Sequence, residues 1–232
     1  DTIRVAIQEI QNKNNESLSF EELYRTAYNL VLHRHGDLLY KGLCDMVSKH
    51  LTETVRVRIC SALEGGCLAS EETLGRILTE WDDHVVAMGM IRDILMYMDR
   101  VYVGQVTGVH GVRKLGLLMF RQKVLLVSSI KEALISSLLN LIQSARHTQQ
   151  MCAAVAGRTC RMLIELGNGE MNVYVDDFEQ RFIAESVTYF SRLATEKLEG
   201  SSCFEYAQFV DDYRKLEKAR CVEMCPESTT EK

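Results

Sequence analysis

The chain has 232 residues, a formal net charge of −5, and 47% hydrophobic against 25% charged residues. That balance describes a folded protein with ample core, and the acidic excess does not favour phosphate backbones or anionic lipid. No apolar run reaches the roughly 18 residues that span a bilayer, and Asp1-Thr2-Ile3-Arg4 has no signal-peptide character. The expectation is therefore a cytoplasmic and/or nuclear protein with no nucleic-acid and no membrane partner.

The one proline is Pro226. Proline breaks helices and punctuates loops, so its absence from the first 225 positions predicts long helices joined by short turns. Strand-like alternation is scarce, and the fold class expected is all-α.

In chain order, the first clear helix lies within residues 18–35. Ser19 and Glu22 have the spacing of a capping box, and Leu23, Ala27, Leu30 and Val31 follow as one buried face. Gly36 is the expected stop. Further helices are predicted from about Leu38 to Leu63, closed by Gly65-Gly66, and from about Ser70 to Val103. After a loop marked by Gly104, Gly108 and Gly111, one helix is expected from Leu115 to Arg146. Three more follow over 153–166, 177–199 and 203–224, the last fraying into a polar tail from Glu227 to Lys232. Stretches of roughly 25 to 30 residues measure about 40 Å, a length that suggests an elongated stack.

Phe20, Tyr24 and Tyr28 recur at every fourth position and form an aromatic stripe. It is offset from the Leu23 face by about 100°, so this helix carries two apolar faces. Tyrosine joins a large apolar area to a polar tip, as protein-binding sites require. Periodicity alone leaves open whether the stripe packs inside its own fold or meets a partner. Met88, Met90, Met96 and Met98 read as core, because methionine fills irregular gaps, and Trp81 reads as a packing anchor.

No residues suggest catalysis, a cofactor or a metal. The eight cysteines are scattered and read as reduced, small apolar side chains. Cys152 with Cys160, and Cys221 with Cys225, share helical faces, but no Cys-x-x-Cys or His-x₃-His pair accompanies them. Asp82-Asp83, Asp176-Asp177 and Asp211-Asp212 are adjacent and diverge on a helix, as His33 and His35 also do. Gly167-Asn168-Gly169 lacks the rest of a dinucleotide fingerprint.

Two ordered runs carry a resemblance. Residues 18–28 read LSFEELYRTAY, similar to the LSFEELYRNAY signature of the cullin family, cullin-3 type, and Val31 to Leu43 continue in the family's order. Residues 90–103, MIRDILMYMDRVYV, resemble the cullin stretch almost without change. Looser matches run through Leu115 to Arg121 and Tyr174 to Phe182. Gly65 to Ile77 is several residues longer than the family's usual connection, and Val124 to Met171 drifts from it.

The resemblance implies a non-catalytic scaffold of a cullin-RING ubiquitin ligase, built as an elongated stack of cullin repeats of about five helices each. Residues 1–148 would form the first repeat and 149–232 a second one, complete or not. It implies BTB-domain substrate adaptors as partners, and a RING-box protein only through a C-terminal region outside this sequence. The implied adaptor face comprises Leu18, Ser19, Phe20, Glu21, Tyr24, Tyr28, Arg34, Tyr97 and Arg100. The alternative is a divergent or truncated paralogue that acts as a decoy or takes another adaptor class.

Overall fold

The computed structural model describes residues 2–65, 69–148 and 153–231. Among them every regular element is helical. Gly66 and Cys152, named above, lie outside the described residues. The chain divides into two compact units, residues 1–68 with 76–133, and 69–75 with 134–232.

The first unit opens with α1, Thr2–Gln11, which buries Ile3, Ala6, Ile7 and Ile10. A turn at Asn15–Ser17 leads into α2, Phe20–Leu32, whose buried face is Leu23, Ala27 and Val31. Helix α3, Gly36–His50, passes through a π-helical turn at Leu51–Val55 into α4, Arg56–Glu64. Leu39, Leu43, Val47, Leu51, Val55 and Ile59 form one buried row along that run. The row has a spacing of four, and the wider π turn keeps it facing inward where 3.6 residues per turn would rotate it away.

Helix α5 spans Ser70–Ile94, and Leu95 (φ −98°, ψ 15°) interrupts it before the short α6, Met96–Met98, and a π turn at Asp99–Val103. Trp81 is buried, with its ring edge-on to Phe120 at 5.0 Å. Phe120 closes α7, Val112–Phe120.

Where one helix is expected from Leu115 to Arg146, the structure has two. Helix α7 runs on through a π turn, Arg121–Leu125, then breaks at Leu126 and Val127 before α8, Ser128–Thr148. The break follows from hydrogen bonding: Leu126 N–H reaches back to Arg121 O at 2.9 Å and Val127 N–H to Val124 O at 3.3 Å, a wide turn then a tight one. Neither reads as a break in the sequence, which has no glycine or proline there.

The second unit contains α9, Ala153–Leu166; α10, Asn172–Tyr174, which a π turn at Val175–Glu179 joins to α11, Gln180–Leu198; and α12, Cys203–Met224. Tyr174, Phe178, Leu163 and Leu166 form its interior. Among its described residues the polar tail does not fray. Glu227–Thr230 form a short helix, α13, and Thr229 is buried, its hydroxyl donating to Glu179 Oε1 at 2.6 Å. A hydroxyl that meets a buried carboxylate, and the Tyr174 hydroxyl 3.0 Å away, help hold a segment whose composition reads as solvent-facing.

No single helix among the described residues is long and apolar enough to cross a membrane.

Candidate functional site

The chain enters α2 over a fixed turn. Asn15 Nδ2 donates to Met90 Sδ at 3.7 Å, and Leu18, half-buried and extended (φ −83°, ψ 125°), donates its N–H to Asn15 O at 3.2 Å. Ser19 is the N-cap, and its Oγ accepts from Glu22 N–H at 3.4 Å. Only that half of the expected capping box forms. The reciprocal arrangement occurs at Ser202 and Glu205, which open α12.

From that cap, Phe20, Tyr24 and Tyr28 run along one side of α2, Phe20 exposed and the tyrosines half-buried. Tyr28 packs on Tyr97 of α6, their ring centroids 4.4 Å apart and tilted by 47°. The stripe is therefore neither core nor a free helix face, because the Tyr28 ring leans on the neighbouring element, Tyr24 is half-buried and Phe20 remains exposed. Glu21 is exposed beside it and pairs with Arg25 at 3.2 Å, an exposed i,i+4 pair worth about 0.3–0.5 kcal/mol. Arg34 and Arg100 are exposed, the first beyond the end of α2, the second in the π turn after α6.

Arg34 has a left-handed backbone, with φ 62°. Its N–H donates to Val31 O at 3.0 Å, and His35 N–H donates to Leu30 O at 2.8 Å. That pair of bonds closes a helix around a left-handed residue, and glycine is the usual occupant. The helix therefore stops on Arg34, and Gly36, expected as the stop, is instead the first residue of α3. Gly36 is required for another reason: a Cβ there would lie 2.8 Å from Tyr102 Cδ2.

The segment that carries Tyr97 and Arg100 is held from three directions. The Asp99 carboxylate accepts from Val112 N–H at 2.9 Å and so caps α7; its half-burial raises its pKa, and that bond opposes the rise. Tyr40 O–H donates to His110 O at 3.0 Å, and burial raises the phenol pKa. The Tyr102 ring fits over Gly36 and lies 5.9 Å from the Tyr40 ring.

Sequence reasoning missed Leu32 and Met96. Leu32 is 55% exposed and continues the stripe one step past Tyr28. Of the methionines read as core, Met88 and Met98 are buried and Met90 half-buried, but Met96 is 47% exposed. The interruption at Leu95 resets the helical phase and turns Met96 outward beside Tyr97. The spacing of 20, 24, 28 and 32 was a signal for Leu32; nothing local signalled the break at Leu95. Among the described residues, no cluster of three or more His, Cys, Asp or Glu side chains has the arrangement of a metal site.

These features define an all-α helical-repeat protein that presents an aromatic face across two adjoining helices. A family model for the cullin alpha solenoid domain matches residues 1–232, and the chain belongs to the cullin family, as the runs at 18–28 and 90–103 implied. It is 42% identical to cullin-3 of Caenorhabditis elegans over 210 residues, 90% of this chain and 26% of that protein. It is 37% identical to cullin-3 of Dictyostelium discoideum over 218 residues, 94% of this chain and 27% of that one. Against cullin-3B of Arabidopsis thaliana the identity is 41% over 204 residues, 87% of this chain and 26% of the relative. The chain thus spans about a quarter of the length of the curated relatives it matches.

Proposed function

We propose that this chain is the adaptor-binding part of a non-catalytic cullin scaffold in a ubiquitin ligase. It captures BTB-domain substrate adaptors on the face of α2 and α6. The observation that carries this reading is the Tyr28–Tyr97 packing, which ties two helices into one surface with Phe20, Leu32 and Met96 exposed around it. Aromatic side chains with a charged rim, here Glu21, Arg34 and Arg100, are what protein interfaces select. Ser19 and Leu18 set the angle at which the chain enters that face. Residues 1–148 act as the first cullin repeat, 149–232 belong to the second, and the RING-box protein binds elsewhere in the parent protein. The contribution of such a scaffold is proximity: it holds a substrate receptor where the ubiquitin-charged enzyme can reach it.

The test is calorimetric titration of the chain with a purified BTB-domain adaptor, alongside Tyr24→Ala and a circular dichroism control. Binding that the substitution weakens at least tenfold, with helicity unchanged, supports the reading. A folded chain that binds no BTB adaptor, and cannot displace a full-length cullin from one at saturation, defeats it in favour of a divergent paralogue with another adaptor class.

A further inference from the structure

Helix α7 begins without a cap of its own, because its N-cap residue, Gly111, has no side chain to accept from the first turn. The acceptor comes from 13 residues back. Asp99 takes the Val112 N–H on both carboxylate oxygens, at 2.9 and 3.2 Å. A Cβ placed on Gly111 would lie 3.4 Å from Asp99 Oδ2, so the remote carboxylate stands where a local serine, threonine or aspartate cap would be. A negative charge suits that place, since the first turn carries the positive end of the helix dipole.

Asp99 belongs to the segment that carries the α6 half of the adaptor face. Tyr97, two residues before it, packs on Tyr28 of α2, and exposed Arg100 follows directly. Regular structure holds this segment only weakly. Helix α6 is three residues long, Met96–Met98, and a π turn continues it. So short a helix does not stand on its own hydrogen bonds. Buried Met98 gives it an apolar anchor, which has no direction, and the Asp99 carboxylate supplies a directional one. The Asp99 N–H meanwhile donates to Leu95 O at 3.1 Å, so one residue ties the segment through both backbone and side chain.

The point it is tied to is itself fixed. Tyr40 O–H of α3 donates to His110 O at 3.0 Å, and its oxygen accepts from His110 N–H at 3.2 Å, two residues before Val112. A cap within α7 would stabilise that helix equally well. A cap borrowed from the α6 turn also links the setting of Tyr97 and Arg100 to α7, while Tyr28 holds Tyr97 from α2.

We propose, on the adaptor reading given above, that Asp99 is a positioning residue: through its cap on α7 it holds Tyr97 and Arg100 in the geometry that receives a BTB-domain adaptor. Without it both side chains have to be ordered at the moment of binding, which corresponds to a loss of affinity of roughly fivefold or more.

The test separates capping from positioning. Asp99→Ala removes both and should lower Tm by roughly 2–4 °C. Combining it with Gly111→Ser returns a local cap. Gly111 has φ −57° and ψ 155°, extended backbone open to any residue, and the shortened side chain at position 99 leaves room for the hydroxyl. The double variant should recover a Tm within about 1 °C of wild type. Two other readouts should not recover. Its affinity for a purified BTB-domain adaptor, by calorimetry, should stay about fivefold or more below wild type. Hydrogen exchange of the free chain, followed by mass spectrometry, should stay about tenfold faster over residues 96–104. Asp99→Asn, which keeps an acceptor oxygen, should lie close to wild type in both.

A double variant that regains wild-type affinity would overturn the inference, because Asp99 would then be a cap and nothing more. So would an affinity deficit with wild-type exchange, because the turn would be ordered without Asp99. A wild-type chain that binds no adaptor would overturn the adaptor reading and this role with it, a failure distinct from one confined to Asp99.

Discussion

Tyr102 packs against Gly36, close enough that its Cδ2, Cγ and Cβ atoms would sit 2.8, 3.0 and 3.1 Å from any Cβ placed there. The contact joins the start of α3 to the π turn that carries Arg100, so their close approach depends on one missing methyl group. Gly36→Ala should destabilise the chain by about 1–3 kcal/mol, the usual cost of overpacking. Gly42, in the interior of the same helix, has nothing within 4 Å of the same construction. Gly42→Ala should therefore stabilise by about 0.5–1 kcal/mol through helix propensity alone. Urea denaturation of both variants checks the pair, and equal effects would refute the role given to Tyr102.

His84 is 7% exposed and sits 5.3 Å from the Phe120 ring and 6.4 Å from the Trp81 ring. Its Nε2 lies 3.0 Å from Gly116 O, and since a carbonyl only accepts, Nε2 carries the proton. Burial lowers its pKa to about 4, against the opposing bond to Gly116. A lowered folded-state pKa means that the unfolded chain binds the extra proton first. The contribution is complete above about pH 6.5 and is lost as the pH falls from there to about 4. On the order of 3 kcal/mol should disappear across that window. His50 is lowered by burial and by Arg58 and adds to the slope, whereas burial raises Glu80 and opposes it. Comparison with His84→Gln, which keeps the donor and does not titrate, isolates the His84 share; equal slopes would exclude it.

In the second unit the Arg146 side chain is 2% exposed, and its Nε donates to Glu217 Oε1 at 2.9 Å. Its guanidinium also lies 5.1 Å from the centroids of Tyr189 and Phe190. Arg220, 4% exposed in its side chain, donates to the other Glu217 oxygen at 3.2 Å. One carboxylate thus balances two buried cations, and Glu217→Gln should cost about 3–5 kcal/mol by leaving both uncompensated. Arg146→Lys is expected to cost nearly as much, because a point charge cannot make the forked bond or stack on two rings. Thermal unfolding of the variants decides it.

How far the fold could be read in advance depended on where the determining interactions lie in sequence. The α2 face was legible because Leu23, Ala27 and Val31 repeat within one helix. Helix α1 has similar spacing in Ile3, Ile7 and Ile10, but no cap or glycine frames it and it was missed. Gly36 was misassigned because its partner, Tyr102, is 66 positions away, and a glycine after a helix otherwise signals a stop. Thr229 and Glu179 are 50 residues apart, so the docked tail was equally hidden. At the candidate site the stripe from Phe20 to Tyr28 was local and visible, but the exposure of Met96 depends on the backbone at Leu95, whose residue type does not signal a break.

Leu32 and Met96 widen the proposed adaptor face beyond its aromatic members. Leu32→Asp changes a side chain that is 55% exposed, so stability should shift by no more than about 0.5 kcal/mol. Adaptor affinity should fall at least tenfold in the calorimetric assay, because a carboxylate at the edge of an apolar patch must be desolvated. Unchanged affinity would place the edge of the interface short of Leu32.

Arg34 offers the sharpest separation of folding from binding. A side chain at a left-handed position costs roughly 1 kcal/mol relative to glycine, and Arg34 occupies that position, with φ 62°, while exposed to solvent. Packing gives no reason to retain an arginine there, and strain of this kind concentrates at functional sites. Arg34→Gly should therefore raise stability by about 0.5–1 kcal/mol, since glycine suits the helix stop that Arg34 now supplies. If the guanidinium meets acidic groups on a BTB adaptor, the same variant should bind that adaptor more weakly, and the deficit should shrink as salt is added. A variant that gains stability and keeps full affinity would remove Arg34 from the interface and leave its backbone strain without a functional cause.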